Sequence, residues 1–121
     1  MSAARSGLIR RYRDGDHVAI ADIFTRAVHE TAAQFYTPQQ CEAWSQKRPN
    51  PEHWQRRCAT KQPFVFVHKG DVVGFLELDD DGHIDCLYVH PKASRRGAAT
   101  RLIDHALTAC AAAGLTRVFV E

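Results

Sequence analysis

Residues 87–107 read LYVHPKASRRGAATRLIDHAL. The stretch opens on the end of an apolar run, residues 84–89, which predicts a strand. The chain turns at His90 and Pro91, passes a basic loop, and starts a helix at Gly97, Ala98 and Ala99. Apolar residues then recur at Ala99, Leu102, Ile103, Ala106, Leu107 and Cys110, the spacing of one helical face. A joint of this kind offers unpaired backbone N–H groups and the positive end of a helix dipole. Together these bind anions, phosphates above all. Arg95, Arg96 and Arg101 add charge, and the small residues at 97–99 let a diphosphate come close to the backbone.

Working outward, residues 64–68, 72–78 and 83–89 predict three strands joined by tight turns, an antiparallel meander. Upstream, residues 8–12 predict a strand and residues 16–33 a helix with Ile20, Ile23, Phe24, Ala27, Val28 and Thr31 on its apolar face. Thr37, Pro38 and Gln40 form a cap-plus-proline helix start, and Pro49 ends that helix. Asn50 and Pro51 repeat the signal before a short helix over 52–59. Downstream, Gly114 closes the long helix, and residues 116–120 predict a last strand, parallel to the third strand of the meander. The order is β-α-α-β-β-β-α-β, an α/β chain with a mixed sheet, read as one domain over residues 1–121.

The central stretch resembles the acyl-CoA signature of the GNAT superfamily of N-acetyltransferases. Leu87, Val89 and Pro91 match its Leu-x-Val-x-Pro-like strand end. Gly97 and Ala99 match its Gly-x-Gly/Ala, while Ser94 stands where the family usually has Gln or Arg. The resemblance implies acetyl-CoA as acyl donor and a primary amine of a small molecule or peptide as acceptor. Backbone groups of Leu87, Tyr88 and Val89 would pair with the pantetheine arm, the Val89 N–H facing the developing oxyanion. Arg95, Arg96, Gly97, Ala98, Ala99 and Thr100 would cradle the pyrophosphate. His29, Tyr36, Trp44 and Trp54 would line the acceptor pocket. Family members usually continue with another helix and two strands, which this sequence lacks before Glu121. That implies either an N-acetyltransferase on a short chain or a truncated, weak or inactive CoA-binding fragment. An open sheet edge would then invite a partner or a second copy, a homodimer.

Taking a proton from the amine calls for a base. Asp85 alternates onto the strand face of His83, Leu87 and Val89. A carboxylate on a mostly apolar face is a candidate for that work. Glu77, on the preceding strand, is a second.

Other classes find less support. A net charge of +2 is too small to imply nucleic acid, and the Arg56–Arg57 pair reads as a solvated face. No apolar run approaches the ~20 residues of a membrane span, and the first residues show no signal peptide. The four cysteines are irregularly spaced, which suits buried thiols in a reducing cytoplasm better than zinc. His83 and Asp85 lack a third ligand, and residues 79–82 lack the later acid of a calcium loop, so no metal is expected.

Overall fold

The computed structural model describes residues 7–31, 34–40, 50–93 and 97–120. Four strands form one antiparallel sheet in the order β1 (Leu8–Arg11), β2 (Phe64–His68), β3 (Asp71–Leu78) and β4 (Ile84–Val89). Helices α1 (Asp16–Arg26) and α2 (Pro51–Lys61) cover one face, and α3 (Ala98–Ala112) covers the other. The first face packs Ile20, Ile23, Trp54 and Cys58 on Val65 and Phe75. The second packs Leu102, Ala98 and Ala106 on Phe64, Phe66, Leu76 and Ile84.

Helix starts follow their local signals. Asn50 Oδ1 accepts from the N–H groups of Glu52 (3.0 Å) and His53 (3.3 Å), with Pro51 at the first helical position. Replacing Asn50 by Ala removes both bonds, and a loss of about 1 kcal/mol is expected, read as a lower urea midpoint at unchanged slope. The Thr37 capping box also forms. Thr37 N donates to Gln40 Oε1 at 2.8 Å, and Gln40 N donates to Thr37 Oγ1 at 3.2 Å. Residues 41–49, which include the rest of that expected helix, Cys41 and Trp44, lie outside the described residues.

Three expectations need correction. The first helix leaves α geometry after Arg26, and Ala27–Thr31 form a π turn; residues 32 and 33 of the expected helix lie outside the described residues. The buried row of α3 is Ala98, Leu102, Ala106 and Cys110, while Ile103 and Leu107 are 36% and 48% exposed. One i, i+4 ridge suffices on a flat sheet, so the second row stays in solvent. Finally, residues 116–120 form no strand. They touch β4 through a single parallel bridge, His83 to Phe119, in which Ile84 N donates to Phe119 O and Phe119 N to Gly82 O.

β4 itself is irregular near this bridge. Glu77 pairs with Cys86 but Leu78 pairs with Ile84, so Asp85 is an extra residue in β4, a β-bulge. A bulge bends its strand and increases its twist.

Candidate acyl-transfer site

The bulge and the end of β4 create two different surfaces. On the outer edge, alternation of the antiparallel ladder decides which groups face out. His90 N donates to Val73 O at 2.8 Å, which makes 73/90 a bonded pair and, stepping by two, 75/88 and 77/86 as well. Leu87 and Val89 occupy the intervening positions, so their N–H and C=O groups point away from β3. Among the described residues no backbone bond meets that edge beyond Ile84. It is a short row of donors and acceptors ready for an extended ligand.

The row leads through the Pro91–Ala93 turn to α3. Gly97 caps that helix with φ +76°, and as a glycine it brings no side-chain acceptor to the helix start. The N–H groups of Ala98, Ala99 and Thr100 therefore stand outside the helical ladder. Arg95 and Arg96 lie outside the described residues. Arg101 does not join this end: Nη1 donates to Gly7 O at 3.0 Å and the guanidinium sits over Phe66, at the β1 side. The π turn of α1 lies against the Pro91–Ala93 turn. His29 belongs to that π turn.

The second surface is polar and lies on the α2 side. The expected placement of Asp85 with Leu87 and Val89 is overturned by the bulge, which breaks the two-residue alternation. Asp85 instead lies toward α2, as Cys86 does, with Lys61 Nζ at 2.8 Å and Arg57 Nη2 at 3.5 Å from Oδ2. Its surroundings are charged, not apolar. Glu77 has no exposed surface. Both its oxygens accept from Arg57, Oε2 from Nε at 2.8 Å and Oε1 from Nη2 at 2.6 Å. Those bonds hold the Arg57 pKa above its ordinary value against the opposing effect of burial. Lys61 also reaches Asp79 at 3.0 Å, and Asp79 takes a 3.0 Å contact from His83 Nδ1. The His83 contact, with Lys61 behind it, holds the Asp79 carboxyl below its usual range.

Around this network stand aromatic rings. Phe24 lies 5.1 Å from both Trp54 and Tyr88, and Phe75 lies 5.9 Å from Tyr88. Trp54 is thus a core residue, 7% exposed, rather than a pocket wall, whereas Tyr36 is 43% exposed. Burial, then the Glu77 charge, pushes the Cys86 thiol up to about 12. Sequence reasoning missed Arg57. It sits three residues after Trp54, beside the buried stripe of α2, whereas Arg56 is exposed. Among the described residues no group of three His, Cys, Asp or Glu is placed to hold a metal ion. No described helix is long and apolar enough to cross a membrane.

A family model, the acetyltransferase (GNAT) domain, matches residues 32–121. The chain belongs to the GNAT acetyltransferase family. Among curated relatives, an uncharacterized N-acetyltransferase of Escherichia coli, YafP, is 39% identical over 95 residues. The match covers 78% of this chain and 61% of that relative, so the chain spans less than two thirds of its length. A GCN5-related N-acetyltransferase from Rhodopseudomonas palustris superposes with TM-score 0.80 at 30% identity, over 93% of this chain and 72% of that one. The PaiA N-acetyltransferase of Thermoplasma acidophilum, solved in complex with coenzyme A, gives 0.74 at 17% identity, over 91% and 75%. At that identity the likeness is one of fold.

Proposed function

We propose that the chain is an acetyl-CoA-dependent N-acetyltransferase that acetylates a primary amine of a small molecule or peptide in a reducing cytoplasm. The observation that supports this most is the outward row of Leu87 and Val89 backbone groups leading to the start of α3, whose N-cap is a glycine. Acetyl-CoA suits that surface. The pantetheine amides would pair with the β4 edge at Leu87 and Val89 as an added strand does, while the backbone of Tyr88, between them, is taken up by Phe75 and is not available as expected. The pyrophosphate would meet Gly97, Ala98, Ala99 and Thr100, with Arg95 and Arg96 adding charge. An N–H at Val89 would stabilise the developing oxyanion.

The acceptor would approach from the α1–α2 side. Asp85 is the better placed of the two carboxylates to take the amine proton, because it is partly exposed while Glu77 is sealed under Arg57. The amine nitrogen bonds to the acyl carbon, the carbon–sulfur bond breaks, and the departing sulfur ends as a thiol. With its pKa near 12, Cys86 stays a protonated thiol at neutral pH and is no acyl carrier. Cys86→Ala should keep turnover within about threefold, as expected of a volume change without lost chemistry; trapping of an acetylated Cys86 by mass spectrometry would instead put it on the reaction path.

Calorimetric titration with acetyl-CoA, followed by thiol release over a panel of amines, tests the reading. Micromolar binding and amine-dependent release are expected. A folded chain that binds nothing overturns it. Mass measured in the same sample reports whether a second copy completes the sheet.

A further inference from the structure

Asp85 is the described residue of β4 with no partner across the ladder, because it sits in the bulge. The backbone alone does not aim its side chain. Two cations of α2 do, and they differ. Lys61 bonds to Asp85 at 2.8 Å and to Asp79 at 3.0 Å, and it is a single flexible ammonium with no buried anchor. Arg57 is held by a two-pronged bond to a carboxylate with no exposed surface. Its guanidinium lies 5.8 Å from the Trp54 ring centre. Nη2 then spans the bulge, 3.4 Å from Cys86 Sγ and 3.5 Å from Asp85 Oδ2.

A fully buried carboxylate is costly to keep, and such pairs are often replaced by apolar residues without loss of stability. Here the pair fixes a positive charge at the one point where β4 is irregular. We propose that Arg57 is a positioning residue for acyl transfer, anchored on Glu77 so that its guanidinium keeps the bulge and the Asp85 carboxylate aimed at the acceptor amine. Lys61 is the exchangeable cation, displaced when the acceptor's ammonium reaches Asp85. The inference rests on the reading of Asp85 as base.

The charged groups facing Asp85 are Arg57 and Lys61 from α2. Cys86 adjoins it on β4, Glu77 of β3 acts through Arg57, and Asp79 acts through Lys61. The test measures kcat and KM for n-butylamine against pH, with acetyl-CoA affinity by calorimetry, in the full chain. Arg57→Gln should lower kcat roughly 10- to 100-fold, the scale of a misplaced catalytic group, with acetyl-CoA affinity unchanged. Its amine KM should change less than kcat does, the split expected of a group that aims the base and does not bind the amine. Lys61→Gln should act mainly on the amine KM, lowering it, with a smaller effect on kcat than Arg57→Gln. The double variant Arg57→Met with Glu77→Leu removes the clamp without stranding a buried charge, so it covers the case in which Arg57→Gln fails to fold. It should show the same loss of kcat.

Wild-type kcat in either folded Arg57 variant overturns the proposal. So does a loss in Lys61→Gln as large as that in Arg57→Gln. Asp85→Asn separates the two levels. If it retains activity the base assignment itself fails. If it loses about 100-fold, the scale of a general base, while Arg57→Gln behaves as wild type, only the positioning role fails.

Discussion

Gly97→Glu should abolish acetyl-CoA binding while leaving a folded protein. Gly97 holds φ +76°, a region that costs a side-chain-bearing residue about 1–2 kcal/mol. A glutamate at a helix start also gains from the dipole, by about 0.3–1 kcal/mol, so the fold loses little. Binding fares differently. The side chain fills the approach to the Ala98, Ala99 and Thr100 amides, and its carboxylate stands where a diphosphate would lie. Calorimetry should show affinity reduced more than about 100-fold, or roughly 3 kcal/mol, the order of one close charge opposed instead of matched. Gly97→Ala separates the causes, because it carries the backbone strain without the charge or the bulk. Its affinity should fall only slightly. Equal affinity in wild type and Gly97→Glu would remove the α3 start from the cofactor site.

Phe75→Ala should cost about 3–5 kcal/mol, the usual price of emptying a buried aromatic position. Phe75 has no exposed surface and lies at the centre of the α1–α2 face, 6.3 Å from Trp54 and 5.9 Å from Tyr88. A domain of this size holds roughly 5–15 kcal/mol in all, so the variant stands near the unfolding threshold. Chemical denaturation should show a large drop in midpoint. The Phe24, Trp54 and Tyr88 rings support the floor of the polar network, so activity should fall with stability. A midpoint close to wild type would mean that neighbouring rings collapse into the space.

The fold was legible where one signal acts alone. The Asn50–Pro51 and Thr37–Gln40 starts, the glycine turns of the meander, and the strand-loop-helix at residues 84–112 each follow from local chemistry. What escaped depends on relations between segments. Nothing in residues 83–89 announces a bulge, because its cause is the register against β3, and so Asp85 was placed on the wrong face. Residues 116–120 carry the composition of a strand, and among the described residues they make one parallel bridge, at Phe119. The helical period found the α3 stripe but not its width, which the flat sheet decides. Arg57 looked like half of a surface pair. Its position three residues from Trp54 carries the signal, but only once Trp54 is known to be buried.

The sheet separates two clusters that share no side chains, one with Phe64 and Phe66 under α3 and one with Trp54 and Phe75 under α1 and α2. Substitutions on opposite faces of such a sheet tend to act independently. A lineage can therefore remodel the charged face, with its Arg57–Glu77 clamp, without disturbing the packing that seats α3. The same partition makes the chain a natural scaffold for laboratory recombination, in which one face is held constant and the other is varied.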